Sequence, residues 1–88
     1  GEYKMKEIIK KYKSFRRFEF QEFFDGISIR NDGDTFYGNG WIVEVGEEVE
    51  EFIGPMRFIT VILQIQIDEE IEEDFINQLK VNFLRGGG

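Results

Sequence analysis

The chain has 88 residues, 41% of them hydrophobic and 16% aromatic, carries a formal charge of -7, and contains neither cysteine nor histidine. That length admits one domain, spanning 1–88, and the apolar content excludes a disordered chain. Without cysteine there are no disulfides or thiolate metal sites. Without histidine the usual general base and transition-metal ligand are gone.

The longest apolar stretch, Phe58 to Leu63, falls far short of the roughly 20 residues of a membrane span, so a soluble, cytoplasmic protein is expected. Isoleucine, glutamate and phenylalanine are abundant and alanine is absent, as in AT-rich, thermophilic or viral genomes. Charge is distributed unevenly. Residues 1–17 hold seven basic and two acidic side chains, whereas residues 18–88 hold four basic and sixteen acidic ones.

In chain order, Met5, Ile8, Ile9 and Tyr12 recur at spacings of three and four, which predicts an amphipathic helix from about Lys4 to Phe15 with its lysines around the far side. Phe18, Phe20 and Phe24 then fall at even positions, which predicts a strand. Asp25-Gly26 reads as a hairpin turn leading to a short strand, Ile27 to Arg30. Asn31 to Asp34 reads as a second turn. Thr35 to Tyr37 and Trp41 to Val45 read as one longer strand interrupted by Gly38-Asn39-Gly40. Gly46 to Gly54 has no clear period and is taken as irregular.

The clearest element is a strand from Met56 to Ile67, with Ile59, Val61, Leu63, Ile65 and Ile67 on one face. Asp68 then caps a final helix whose first turns are rich in glutamate, where the helix dipole favours negative charge. Ile71, Phe75, Leu79 and Phe83 form its apolar stripe. The predicted fold is α+β: a curved antiparallel sheet of four or five strands with an N-terminal and a C-terminal helix packed on one face.

Few groups offer catalysis. The hydroxyls of Ser14, Ser28, Thr35 and Thr60 have no histidine to activate them, and a non-enzymatic protein is expected. The acidic surplus points to an interaction protein that binds a basic partner, for instance as a nucleic-acid-mimicking inhibitor or an adaptor, through Glu47, Glu48, Glu50 and Glu51. The same surplus argues against direct nucleic-acid or membrane binding. The basic N-terminal segment is expected to neutralise part of the protein's own acidic body.

A second reading is a divalent-cation domain. Asn31, Asp32 and Asp34, or separately Glu47, Glu48, Glu50 and Glu51, supply hard oxygen ligands of the kind calcium takes, without the twelve-residue loop spacing, and no other cofactor is implied. Ten phenylalanines exceed what one sheet face can cover, and Phe23, Ile42, Phe58 and Ile62 are expected to share a second apolar face suited to a homodimer.

The tail Phe83-Leu84-Arg85-Gly86-Gly87 resembles the Leu-Arg-Gly-Gly ending of ubiquitin-like modifiers. That resemblance implies a chain joined to others through its terminal glycine, once Gly88 is removed. The same glycines also suit the end of the last helix.

Overall fold

A computed structural model describes residues 5–84. The elements run β1 (Met5–Lys13), α1 (Arg17–Ile27), β2 (Arg30–Asp32), β3 (Thr35–Gly38), β4 (Trp41–Val45), β5 (Val49–Ile53), β6 (Met56–Asp68), a single 3-10 turn (Glu69–Ile71) and α2 (Glu72–Asn82). The class is α+β, as the sequence implies. The sheet has six strands, all antiparallel, in the order β1-β6-β4-β3-β2, with β5 on the same edge of β6 as β4.

β6 is the spine. Its alternation is the one read from the sequence: Val61, Leu63, Ile65 and Ile67 are buried, while Ile62, Gln64 and Gln66 face outward. Both helices lie on the buried face, where Phe20 and Phe24 of α1 meet Phe75 and Leu79 of α2 over Val43, Val45 and the β6 valine, leucine and isoleucines. Asp68 caps the 3-10 turn that leads into the C-terminal helix, its carboxylate accepting a hydrogen bond from the Glu70 amide at 3.0 Å, while α2 itself starts four residues on, after Ile71, without a side-chain cap.

The first two elements are the reverse of the prediction. Met5–Lys13 is a strand, paired along its whole length with Thr60 to Asp68 of β6. Ile8, Lys10 and Tyr12 turn toward the helices, and Ile9, Lys11 and Lys13 turn away. What suggested a helix was Ile8 beside Ile9 with Tyr12 three on. In the fold those isoleucines lie on opposite faces, and the buried backbone of β6 obtains its hydrogen-bond partner.

Conversely, Arg17–Ile27 is a helix. Phe20, Phe23 and Phe24 share one face at helical spacing, and the carboxylate of Glu19 reaches back to accept from the Arg16 amide at 2.7 Å. Asp25-Gly26 therefore lies inside the last turn of α1 and is no hairpin. Ile27 closes the helix, and the short strand that follows is Arg30–Asp32.

Two further differences concern the middle of the chain. Residues 35–45 form two strands rather than one: Asn39-Gly40 makes a tight turn, with Gly40 at φ 87°, and a Cβ at Gly38 would overlap the Trp41 ring that packs across it. The segment taken as irregular contains β5. With the start of β6 it forms a hairpin closed by Gly54-Pro55, and this gives the described residues a long axis of 52 Å.

Candidate interaction sites

Four of the five ion pairs among the described residues tie the basic first segment to acidic segments far along the chain. Lys6 meets Glu72 at 3.2 Å, Lys11 meets Glu51 at 2.8 Å, Arg16 meets Glu48 at 3.2 Å, and Arg17 contacts Asp34. The fifth, Arg57 with Glu50 at 3.1 Å, lies within the β5–β6 hairpin. The basic segment thus neutralises part of the acidic body, though as a strand and a helix start rather than as one helix.

This places the four glutamates singled out in the sequence. Glu48 also accepts from the Arg17 amide at 2.8 Å, so a carboxylate from the β4–β5 connection caps α1. Glu51 accepts from the buried Thr60 hydroxyl at 2.9 Å. The Lys11 and Thr60 hydrogen bonds hold its carboxyl below the ordinary glutamate range. Glu50 is paired with Arg57, which leaves Glu47 without an ion pair among the described residues.

Two of the calcium candidates have partners within the fold. Asp34 is engaged by Arg17 and by the Gln21 amide at 3.2 Å, and the Asn31 amide donates to the Gly33 carbonyl at 3.5 Å. Asp32 sits on the exposed strand β2. Among the described residues no group of three or more carboxylates is placed to hold a metal ion.

The apolar quartet is split between two sides. Ile42 and Ile62 lie on the open face of the sheet, and Phe58 lies under the Lys13 ammonium at 5.3 Å. Phe23 sits on α1, against Phe24 and Phe83 on the helical side. Its assignment to a strand had put it with the others. No helix of the described residues is long and apolar enough to cross a membrane.

A site that the sequence did not show lies along the outer edge of β1. Lys10, Lys11, Tyr12, Lys13 and Phe15 form one wall, Lys80, Val81, Phe83 and Leu84 the other, and they enclose a groove of about 660 Å³. Its floor is aromatic: the Tyr12 and Phe83 rings are 6.0 Å apart, and Phe83 stacks on buried Phe20 at 4.5 Å. Burial pushes the Tyr12 phenol above its usual pKa, so it is neutral at physiological pH. The groove opens where α2 ends and the chain runs on toward the glycine tail, which lies outside the described residues.

Comparison with known proteins bears on both the body and the tail. The family described as archaeal MoaD-like protein matches residues 8–88, from within β1 through the last glycine. The chain belongs to the archaeal MoaD-like family. No curated protein and no solved structure matches it. For a MoaD-like chain the Leu84-Arg85-Gly86-Gly87 segment acquires a context that four residues alone do not supply.

Proposed function

We propose that this chain is a non-enzymatic protein of the sulfur-carrier, ubiquitin-like type, in which the folded residues serve as a docking body and the glycine tail as the loaded arm. The observation that carries the reading is the family match running into Gly86, Gly87 and Gly88. The chemistry suits it. A terminal glycine carboxyl has no side chain to hinder approach, and two or three successive glycines let an arm enter a narrow active site of another protein. The body supports the same reading, since it holds no histidine or cysteine to act as a catalyst in its own right. Leu84, where the described chain leaves α2, is 78% exposed, so the arm starts at the surface.

The test begins with the protein purified from its native cells and its intact mass. The expected result is a chain ending in glycine, with a fraction in which one carboxyl oxygen is replaced by sulfur or in which the carboxyl is joined to another molecule. Removing Gly86 to Gly88 abolishes that fraction. A native chain that continues past Gly88, or one whose terminal carboxyl is never altered, overturns the proposal.

A second reading keeps the acidic surface as the contact for a basic partner. It is favoured by the run Asp68 to Asp74, in which only Glu72 has an ion pair among the described residues. Glu47 belongs with that surface, whereas Glu48, Glu50 and Glu51 are occupied within the fold. Charge reversal at Glu69, Glu70 and Glu73 is expected to weaken such binding and flatten its salt dependence. Unchanged binding removes this reading.

A further inference from the structure

Nine cations fall among the described residues, and four of them have no carboxylate partner there: Lys10, Lys13, Arg30 and Lys80. Arg30 lies over the Tyr37 ring at 3.8 Å. The other three line the β1–α2 groove, Lys10 and Lys80 on its helical side and Lys13 at its rim with its ammonium over the Phe58 ring, and among the described residues no acidic side chain lines it. In a chain of charge -7, three cations without a carboxylate partner lie along one groove while acid is plentiful elsewhere. No carboxylate among the described residues pairs with them, which leaves them open to the acidic groups of a partner.

The backbone says what form that molecule takes. β1 is the outermost strand of the sheet. The Ser14 amide donates to the Ile59 carbonyl at 2.8 Å, and the same two-residue alternation sends the amides and carbonyls of Tyr12, Lys10 and Ile8 inward to β6. The N–H and C=O groups of Ile9, Lys11 and Lys13 therefore point outward along the edge. Beside that edge lie two of the most exposed apolar side chains among the described residues, Val81 at 79% and Leu84 at 78%.

We infer that the β1 edge and the groove beneath it bind an extended acidic peptide segment of a partner protein, which adds to the sheet as a strand. Its backbone pairs with Ile9, Lys11 and Lys13. Its apolar side chains on the helical face cover Tyr12, Phe83, Val81 and Leu84, carboxylates flanking them reach Lys10 and Lys80, and carboxylates on the open face meet Lys13. Edge lysines ordinarily guard a strand against pairing with copies of itself. Here the guard is selective: a second β1 is repelled, and an acidic strand is attracted. A nucleic acid supplies negative charge too, but it gains nothing from the strand edge and is repelled by the acidic remainder of the protein. The inference stands apart from the tail proposal, because none of its contacts uses Gly86 to Gly88.

The experiment titrates the full chain with a labelled synthetic peptide alternating glutamate and valine, followed by fluorescence anisotropy and by amide NMR shifts. Saturable binding with a Kd below about 1 mM is expected, with shifts centred on Ile9, Lys11 and Lys13. The double substitution Lys10→Glu and Lys80→Glu is expected to weaken it at least tenfold. Ile9→Pro removes an outward amide, which an edge strand tolerates, so binding is lost while the melting temperature stays close to that of the parent. Ile8→Pro, whose amide bonds to β6, serves as the control that unfolds. No saturation by the peptide, shifts elsewhere on the surface, or equal binding by Ile9→Pro overturns the inference. So does a single-stranded oligodeoxynucleotide that binds more tightly than the peptide and displaces it.

Discussion

Glu51 shows how a single side chain in this protein is tuned by neighbours distant in sequence. Its carboxylate sits on β5, accepts a hydrogen bond from the Thr60 hydroxyl across the hairpin, and lies 2.8 Å from the Lys11 ammonium on the far side of β6. Both contacts favour the charged form, so its folded-state pKa lies below that of an ordinary glutamate. A lowered carboxyl contributes stability that is fully present above the unfolded pKa and disappears as pH falls through the folded one. Glu51→Gln should therefore melt below the parent at neutral pH, and the gap should begin to close below about pH 4.5 and vanish in stronger acid. Thermal melts of both proteins from about pH 7 to pH 3 check this. A gap that stays constant would mean that Glu51 acts through its stem and not its charge. The expected gap is small, since the side chain is one-third exposed and water screens the pair.

At the scale of elements, the N-terminus of α1 is completed by a residue that the helix does not contain. Arg16 precedes the helix and has no side-chain oxygen with which to cap it. Glu19 takes up the Arg16 amide, and Glu48, reaching in from the β4–β5 connection, takes up the Arg17 amide at 2.8 Å. Glu48→Gln keeps an acceptor but loses the charge toward the helix dipole and Arg16, and Glu48→Ala loses both. The alanine variant is expected to cost about 1 kcal/mol and the glutamine variant less, read as shifts in urea midpoint. Equal and negligible effects would mean that the Arg17 amide is served as well by water.

The same elements show what could be read from the chain and what could not. β6 was legible because Ile59, Val61, Leu63, Ile65 and Ile67 recur at every second position, and α2 because Asp68, the acidic first turns and a four-residue apolar stripe agree with one another. β1 and α1 were exchanged because each satisfies both periods. Phe18, Phe20 and Phe24 alternate as a strand would, yet Phe20, Phe23 and Phe24 also share a helical face, and only tertiary burial chooses between them. Composition held a usable signal: β1 carries adjacent isoleucines and a tyrosine, whereas α1 has no β-branched residue before Ile27. The β1–α2 groove had no such signal, since its walls lie some seventy residues apart and meet only once β1 is a strand. The same error of period placed Phe23 on the open sheet face and Asp25-Gly26 in a turn.

For the whole molecule the governing quantity is the imbalance of charge. Five exposed or half-exposed ion pairs each contribute roughly 0–1 kcal/mol, while the surplus acid, densest from Asp68 to Asp74, repels itself across the surface. Salt screens both terms. The pairs are few and wet, and the repulsion is summed over many carboxylates, so repulsion is the larger loss at low ionic strength. Raising sodium chloride from about 0.01 M to 0.2 M is therefore expected to lift the melting temperature by several degrees, equivalent to about 1 kcal/mol for a domain of this size. A fall would mean that the ties from Lys6, Lys11, Arg16 and Arg17 outweigh the repulsion. Calcium provides the companion measurement. At matched ionic strength calcium and magnesium should raise the melting temperature equally if they act only on the diffuse acidic field, whereas an excess for calcium alone would locate a specific site. The β1 groove moves the other way under the same salt series, because screening that stabilises the fold weakens an acidic strand's hold on Lys10, Lys13 and Lys80. Opposite responses of melting temperature and peptide affinity in one titration are thus the signature expected of a basic groove set in an acidic protein.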